Sequence, residues 1–226
     1  MDPSLAALVA ASTALVGTHF ALSHPLRAPL VRLLGANGFM GLYSVVALAC
    51  LYWMGEAFKE APPASLGGSG VIGWIVASVL TAVAVVLLFG SFRSNPALPA
   101  PGAEKVAATR EPTGVFAVTR HPMMWSFALW AFAHIVLWWS WRTNIVALAI
   151  LVLALVGAHL QDRKKESLMG EAWQSWEAKT SYWPKWGKLL SAGWVLWLAA
   201  IAGWLALTWV HIALAGIPAG AWRWIG

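Results

Sequence analysis

A basic quartet followed by an apolar stretch holds the side chains best suited to chemistry. Thr119-Arg120-His121-Pro122 precedes the segment MMWSFALWAFAHIVLWW, which carries a single imidazole, His134. Proline is tolerated in the first turn of a helix because its missing N–H would have no partner there. An ionisable side chain inside an apolar, membrane-grade helix is costly and is therefore a functional candidate. The stretch predicts a helix that begins at Pro122 and carries His134 about midway along its length.

Arg120 and His121 form a cationic pair at the start of that helix. The planar fork of an arginine suits phosphate and carboxylate groups, so we expect the pair to bind an anionic group. The alternative is a capped helix start whose long side chains reach lipid headgroups. Because an exposed charge contributes little to stability, we expect loss of Arg120 to leave the fold intact.

A second candidate imidazole, His19, lies near the end of the first apolar stretch, beside the small residues Gly17 and Ala21. Small neighbours leave room for a bound group, but they equally allow close helix packing. The remaining histidines lie near the ends of apolar stretches, where we expect structural roles: His24, His159 and His211.

The composition is typical of an integral membrane protein. Of the 226 residues, 60% are hydrophobic and 11% are charged, whereas a soluble domain is about 45–50% apolar and about a quarter charged. The 17 Trp residues fit this class, because Trp favours the interface between lipid and water. One cysteine, Cys50, excludes a disulfide framework and a cysteine-based zinc motif. The net charge of +6 comes from loops between spans, so we expect a lipid bilayer as partner and no nucleic acid.

The apolar stretches predict an all-α bundle of about six transmembrane helices in a single domain, 1–226. The predicted spans are residues 4–23, 38–58, 71–92, 122–139, 143–160 and 189–214. Residues 24–35 are expected to form an amphipathic connector in the interface, and residues 91–119 an extended loop. Residues 162–186 alternate charge with tryptophan, including Trp173 and Trp176, and are expected to form an interfacial helix.

Three separated pieces of the chain carry a resemblance to a known family: GTHFALSHPLRAPLVRLLGANGFMGLYSVVAL (17–48), TRHPMMWSFALWAFAHIV (119–136) and HLQDRKKESLMGEAWQSWEAKTSYWPKW (159–186). In this order they resemble the NnrU family, which includes the 15-cis-zeta-carotene isomerases. The resemblance implies a bacterial inner-membrane protein. It also implies a link either to denitrification and nitrogen-oxide metabolism or to redox-dependent cis–trans isomerisation of a hydrophobic polyene.

The isomerase branch of that family further implies a b-type haem. Carried over by position, its iron ligands are His19 and His134, and Arg120 with His121 could then hold a haem propionate. At 1.5 Å per residue, His19 lies about 6 Å and His134 about 18 Å from the same end of their predicted spans. His121 is therefore kept as an alternative partner for His19.

Two other classes of function stay open. The Arg-His-Pro step, together with Glu166, Glu171 and the tryptophans around them, also resembles the isoprenylcysteine methyltransferases. That resemblance implies an S-adenosylmethionine-dependent membrane methyltransferase. The remaining alternative is a membrane scaffold that binds no cofactor.

The distribution of basic residues predicts the orientation of the chain in the membrane. Twelve of the 15 Lys and Arg residues lie in the connections after the first, third and fifth predicted spans, and only Lys59, Arg142 and Arg223 lie on the other side. Cytoplasmic loops carry an excess of Lys and Arg. We predict that both termini are periplasmic, so that alkaline phosphatase fused to the C-terminus is active in intact cells. An active cytoplasmic reporter at the same position would show the opposite topology.

Overall fold

The computed structural model describes residues 2–225. Its regular secondary structure is helical apart from two short strands. In chain order the elements are α1 (Pro3–Ser23), α2 (Arg27–Glu60), β1 (Ser65–Gly68), α3 (Gly70–Ser91), α4 (Ala103–Thr109), α5 (Val115–Val118), α6 (Pro122–Leu137), β2 (Trp138–Ser140), α7 (Trp141–Met169), α8 (Glu171–Lys179), a 3₁₀ helix (Trp186–Ala192), α9 (Trp194–Ala215) and α10 (Trp222–Ile225). The prediction of an all-α membrane bundle is confirmed.

Five of the described helices are long and apolar enough to cross a membrane: α1, α2, α3, α7 and α9. The predicted fourth span, α6, is apolar but has only 16 residues. It is therefore about 24 Å long, shorter than the roughly 30 Å hydrocarbon core of a bilayer. The prediction that His134 lies about midway along this helix is also wrong. Because α6 ends at Leu137 and β2 follows, His134 lies in the last turn instead of midway.

The chain forms two compact units, and α7 contributes to both. The first unit comprises the residues up to Gly68 together with Trp138–Leu153. Its core joins buried residues of α1 (Leu8, Ala11, Leu15) and α2 (Met54, Ala57). The Asp2 side chain caps α1 by accepting hydrogen bonds from the backbone N–H groups of Ser4 and Leu5.

The second unit comprises Ser69–Leu137 together with the residues from Ala154 onward. In it α3 packs along α6 and α9. Small residues let these helices approach closely. They include Gly73, Ala77 and Gly90 on α3 and Ala128, Ala131 and Ala133 on α6, all buried.

Two predicted connections are part of this core. Residues 91–119 contain α4 and α5 instead of an extended loop, because Phe116 and Val118 are buried in the core of the second unit. Residues 171–179 form a helix, as expected, but Trp173 and Trp176 are fully buried instead of interfacial. Their spacing of three residues places both rings on one face of α8, and that face packs into the core.

Two further features were not predicted. The expected interfacial connector is continuous with the second span, since α2 begins at Arg27. A kink at Gly35 (φ 71°, ψ 170°) separates the two parts, and a positive φ of this kind favours glycine. The loop after α2 holds β1, which pairs antiparallel with β2 within the first unit.

Gly90 provides a test of the packing in the second unit. A Cβ atom at this position would overlap Val115 Cγ1 and would lie 3.0 Å from Leu196 Cδ2. We expect Gly90→Ala to lower the free energy of unfolding by about 1–3 kcal/mol through overpacking. Gly55→Ala is the matched control, because nothing lies within 4 Å of its Cβ position. Thermal unfolding in detergent measures both, and equal melting temperatures for the two variants would contradict the packing.

Candidate functional site

The candidate site begins where the basic quartet meets the segment after α8. The Arg120 backbone N–H donates to the Ser181 carbonyl at 2.9 Å. The Thr119 hydroxyl lies within hydrogen-bonding distance of the carbonyls of Ser181, at 3.1 Å, and Tyr182, at 2.8 Å. Its oxygen also accepts from the His121 backbone N–H at 3.2 Å. These bonds fix the extended chain before α6 and aim the next two side chains at the end of α7.

The carboxylate of Asp162, on α7, lies between those two side chains. Arg120 Nε lies 3.1 Å from both Asp162 oxygens, and its Nη2 lies 2.7 Å from Oδ2. His121 Nε2 lies 2.8 Å from Asp162 Oδ1. The exposed fractions of the side chains are 13% for Arg120, 7% for Asp162 and 0% for His121. The expectation of an exposed charge at Arg120 is therefore wrong, since its guanidinium is a buried ion-pair partner.

Both ring nitrogens of His121 face acceptor oxygens. Gln161 Nε2 donates to the Ala97 carbonyl at 3.2 Å, which turns the Gln161 Oε1 toward His121 Nδ1 at 3.3 Å. Asp162 accepts from the other nitrogen. A neutral ring has a single N–H and can donate to only one of these two oxygens at a time. The ring edge also packs against Tyr182, with centroids 5.5 Å apart.

A second carboxylate, Glu177 on α8, completes this charge network. Its Oε1 lies 3.2 Å from Arg120 Nη2. Burial raises the pKa of the Glu177 carboxyl above its ordinary value, and the negative charge of Asp162 raises it further, although Arg120 lowers it. The neighbouring Glu166 carboxyl raises the pKa of Glu177 further. Glu177 therefore lies where negative charge is in excess.

Beside this network lies a cleft of about 460 Å³, contained in the second unit. Its lining carries three carboxylates, two guanidinium groups, one imidazole and two aromatic rings: Arg120, His159, Asp162, Arg163, Glu166, Glu177, Tyr182 and Trp183. Burial, followed by the Asp162 charge, raises the pKa of the Tyr182 phenol. That phenol donates to the Leu155 carbonyl at 2.7 Å, so it serves as a fixed wall of the cleft.

The first unit has an opening of different character. A groove of about 450 Å³ runs between α1 and the first half of α7, with walls that include Val9, Val16, Leu148 and Val152. Among the described residues, the buried Ser12 hydroxyl in its lining has no hydrogen-bond partner. No charged side chain lines this groove.

His19 and His134, the predicted iron ligands, share one local geometry. In the first unit, His19 Nδ1 lies 2.8 Å from the Leu15 carbonyl. In the second unit, His134 Nδ1 lies 2.8 Å from the Trp130 carbonyl. A carbonyl accepts, so each Nδ1 carries the proton, and each Nε2 of the neutral ring keeps its lone pair. Within residues 2–225, neither Nε2 takes part in a hydrogen bond to the protein.

The structure thus brings together two of the four predicted site residues, Arg120 and His121, and gives them an anionic partner from the protein itself. The prediction that they bind a cofactor anion stays a prediction. Sequence reasoning missed the residues that bind them, which are Gln161, Asp162, Glu177 and Tyr182. The sequence does contain a signal for two of them. Gln161 and Asp162 directly follow the fifth predicted span, and the end of that span is predicted to face the same side of the membrane as the quartet.

Asp162→Ala should reveal the cost of leaving the side chains of Arg120 and His121 without their carboxylate partner. Removing one partner of a buried ion pair usually costs about 3–5 kcal/mol. The matched control is Glu111→Ala, which breaks the Glu111–Lys179 pair, where Glu111 is 75% exposed. An exposed pair contributes about 0–1 kcal/mol. Unfolding in detergent should separate the two variants clearly, and a loss of stability as small as that of the control would contradict the central role of Asp162.

Comparison with known proteins places the whole architecture in one family. A family model described as NnrU protein matches residues 7–219. The comparisons with curated proteins and with solved structures found no match. The matched region contains the three pieces that carried the resemblance, and it includes His19, Arg120, His121 and His134. The chain belongs to the NnrU family.

Proposed function

We propose that this NnrU-family chain binds a b-type haem in the membrane, and that the imidazoles of His19 and His134 would hold its iron. The proposal is carried by the hydrogen bond at each Nδ1, because it leaves the lone pair of Nε2 free to bind iron. Histidines that bind a metal usually donate their other N–H to a carbonyl or carboxylate, which fixes the tautomer and the orientation of the ring.

The surroundings of each imidazole support this role. The His19 and Tyr43 rings form a T-shaped pair with centroids 5.3 Å apart, and the centroids of the Trp130 and His134 rings are 4.2 Å apart. Among the described residues, no group of three or more His, Cys, Asp or Glu side chains is arranged to hold a bare metal ion. A haem iron takes four ligands from the porphyrin, so two imidazoles complete its coordination. His121 is not proposed as a ligand, because both its nitrogens already face oxygens of Gln161 and Asp162.

A bound haem would supply an iron centre whose redox state alters its axial bonds, while the chain sets the ligand identity and the burial that tune it. On the family resemblance, we propose redox-dependent cis–trans isomerisation of a hydrophobic polyene as the activity. A role linked to denitrification is the other activity that the resemblance implies. The family resemblance supports a bacterial inner-membrane location. The distribution of basic residues supports an orientation with both termini periplasmic, which requires that α6 crosses the membrane together with the five longer helices.

No specific contact favours the methyltransferase alternative. Lys165 occupies the first position of the Glu pair characteristic of that family, and its ammonium is buried and donates to the Pro96 carbonyl. The second position, Glu166, lies beside Arg163.

Visible spectroscopy of protein expressed with ample haem tests the proposal. Iron bound by two imidazoles is low-spin, so we expect a sharp Soret band in the purified wild-type protein. His19→Ala and His134→Ala should each shift that band toward high-spin haem or abolish it. His24→Ala is the matched control, because it removes an imidazole five residues from His19 on the same part of the chain, and its Soret band should be unchanged.

The proposal fails if purified protein shows no Soret band and takes up no added haem. It also fails if the spectra of both ligand variants match that of the wild type. Binding of S-adenosylmethionine by protein without a Soret band would support the methyltransferase instead. Binding of neither molecule would favour the scaffold.

A further inference from the structure

The charged cleft of the second unit holds groups of both signs beside aromatic rings. Its carboxylates come from α7 and α8, and its basic groups include His159 and Arg163 of α7. Trp183 contributes a ring to the lining, and its residue surface is 66% exposed. Tryptophan favours the headgroup level of a membrane. The proposed haem ligands do not line this cleft, so its occupant is a separate question.

The length of α7 places the cleft at the membrane surface. The helix has 29 residues and is therefore about 43 Å long, against about 30 Å for the hydrocarbon core of a bilayer. Its apolar part ends at Leu160, and charged residues follow. The last turns of α7 consequently lie among lipid headgroups. From the membrane outward, the cleft residues of α7 are His159, then Arg163, then Glu166, spread over about 10 Å.

The outer part of the cleft has an excess of negative charge. Its three carboxylates face two guanidinium groups: Glu166 pairs with Arg163 at 3.3 Å, and Asp162 pairs with Arg120 at 2.7 Å. Glu177 shares Arg120 with Asp162 and also lies beside Glu166. Burial and the negative charge of Asp162 raise the pKa of Glu177 in spite of Arg120, which agrees with one carboxylate more than the two guanidinium groups balance. A cationic group that donates hydrogen bonds would relieve this excess.

We propose that the cleft binds a zwitterionic phosphoethanolamine group, with its ammonium at Glu166 and Glu177 and its phosphate toward Arg163 and His159. This group is the headgroup of phosphatidylethanolamine, in which the phosphate lies nearer the acyl chains than the ammonium does. The order of charges along α7 matches that arrangement. A primary ammonium offers three N–H donors, whereas choline offers none. Headgroups with no positive charge would meet the carboxylates without compensation.

A series of short-chain lipids tests the recognition of the ammonium in the full-length protein in detergent. Binding is measured by isothermal titration for phosphatidylethanolamine, its N-methyl and N,N-dimethyl derivatives, phosphatidylcholine and phosphatidylglycerol. We expect affinity to fall as N–H donors are lost, with phosphatidylethanolamine bound about tenfold tighter than phosphatidylcholine, the difference expected from one charge-assisted hydrogen bond. Equal or tighter binding of phosphatidylcholine or phosphatidylglycerol would overturn the proposal.

A pair of variants connects that preference to the cleft. Glu166→Gln keeps the shape of the side chain but removes its charge, and it should weaken binding of phosphatidylethanolamine about tenfold. Glu171→Gln is the matched control, because Glu171 is exposed on α8 and does not line the cleft, and it should bind as the wild type does. Affinity that is unchanged by Glu166→Gln would place the lipid elsewhere and overturn the proposal.

Titration with free phosphoethanolamine tests whether the recognised group belongs to a soluble compound or to a membrane phospholipid. If it binds as tightly as the short-chain lipid and with the same dependence on Glu166, the recognised group is a soluble compound. If only the lipid binds, the ligand is a membrane phospholipid. Failure of both to bind would overturn the proposal. Because the Soret band is recorded on the same preparations, this failure is distinguishable from failure to bind haem.

Discussion

One carboxylate, that of Asp162, binds the side chains of Arg120 and His121 in a place with little access to water. Arg120 contacts it through two nitrogens and His121 through a third. Burying a guanidinium without such a partner would be strongly unfavourable, so the conformation of the quartet before α6 depends on the end of α7. The segment after α8 depends on it as well, because its carbonyls accept from Thr119 and from the Arg120 backbone. Much of the second unit's charged face is therefore organised around this contact.

The histidines of the chain differ in the hydrogen bonds that their ring nitrogens make. Each ring nitrogen of His121 faces an oxygen atom of the protein, so neither nitrogen is open to a metal. His19 and His134 each use only Nδ1, and for an acceptor one turn earlier in the same helix. In a neutral ring this pattern leaves a lone pair on Nε2, the atom that can bind a metal. The assignment of His121 to structure and of His19 and His134 to ligation therefore rests on the same chemical argument.

The sequence predicted the helical membrane fold because long apolar runs are an unambiguous signal, and five of these runs are helices long enough to cross a bilayer. Shorter features were less predictable. Residues 91–119 contain prolines and glycine that indicate a loop, yet Phe116 and Val118 gain enough by burial to order two short helices. Trp173 and Trp176 are interfacial by residue type, but packing of α8 against the core buries them fully.

The candidate site was predicted in part, for a similar reason. Arg120 and His121 were identified by residue type, but their partner Asp162 lies about 40 residues away in the chain, and the distance in space depends on how α6 and α7 pack. The free Nε2 atoms of His19 and His134 depend on side-chain rotamers, which no sequence pattern specifies. Residue types can therefore nominate ligands, but hydrogen-bond geometry is needed to separate a ligand from a structural histidine.

Electron paramagnetic resonance of the oxidised, haem-loaded protein tests the central claim most directly, because the signal reports both axial ligands of the iron at once. Two neutral imidazoles predict a low-spin ferric signal in the wild type. A predominantly high-spin signal from protein with its full complement of haem would show that the iron lacks a second strong ligand, and it would contradict ligation by His19 and His134 together.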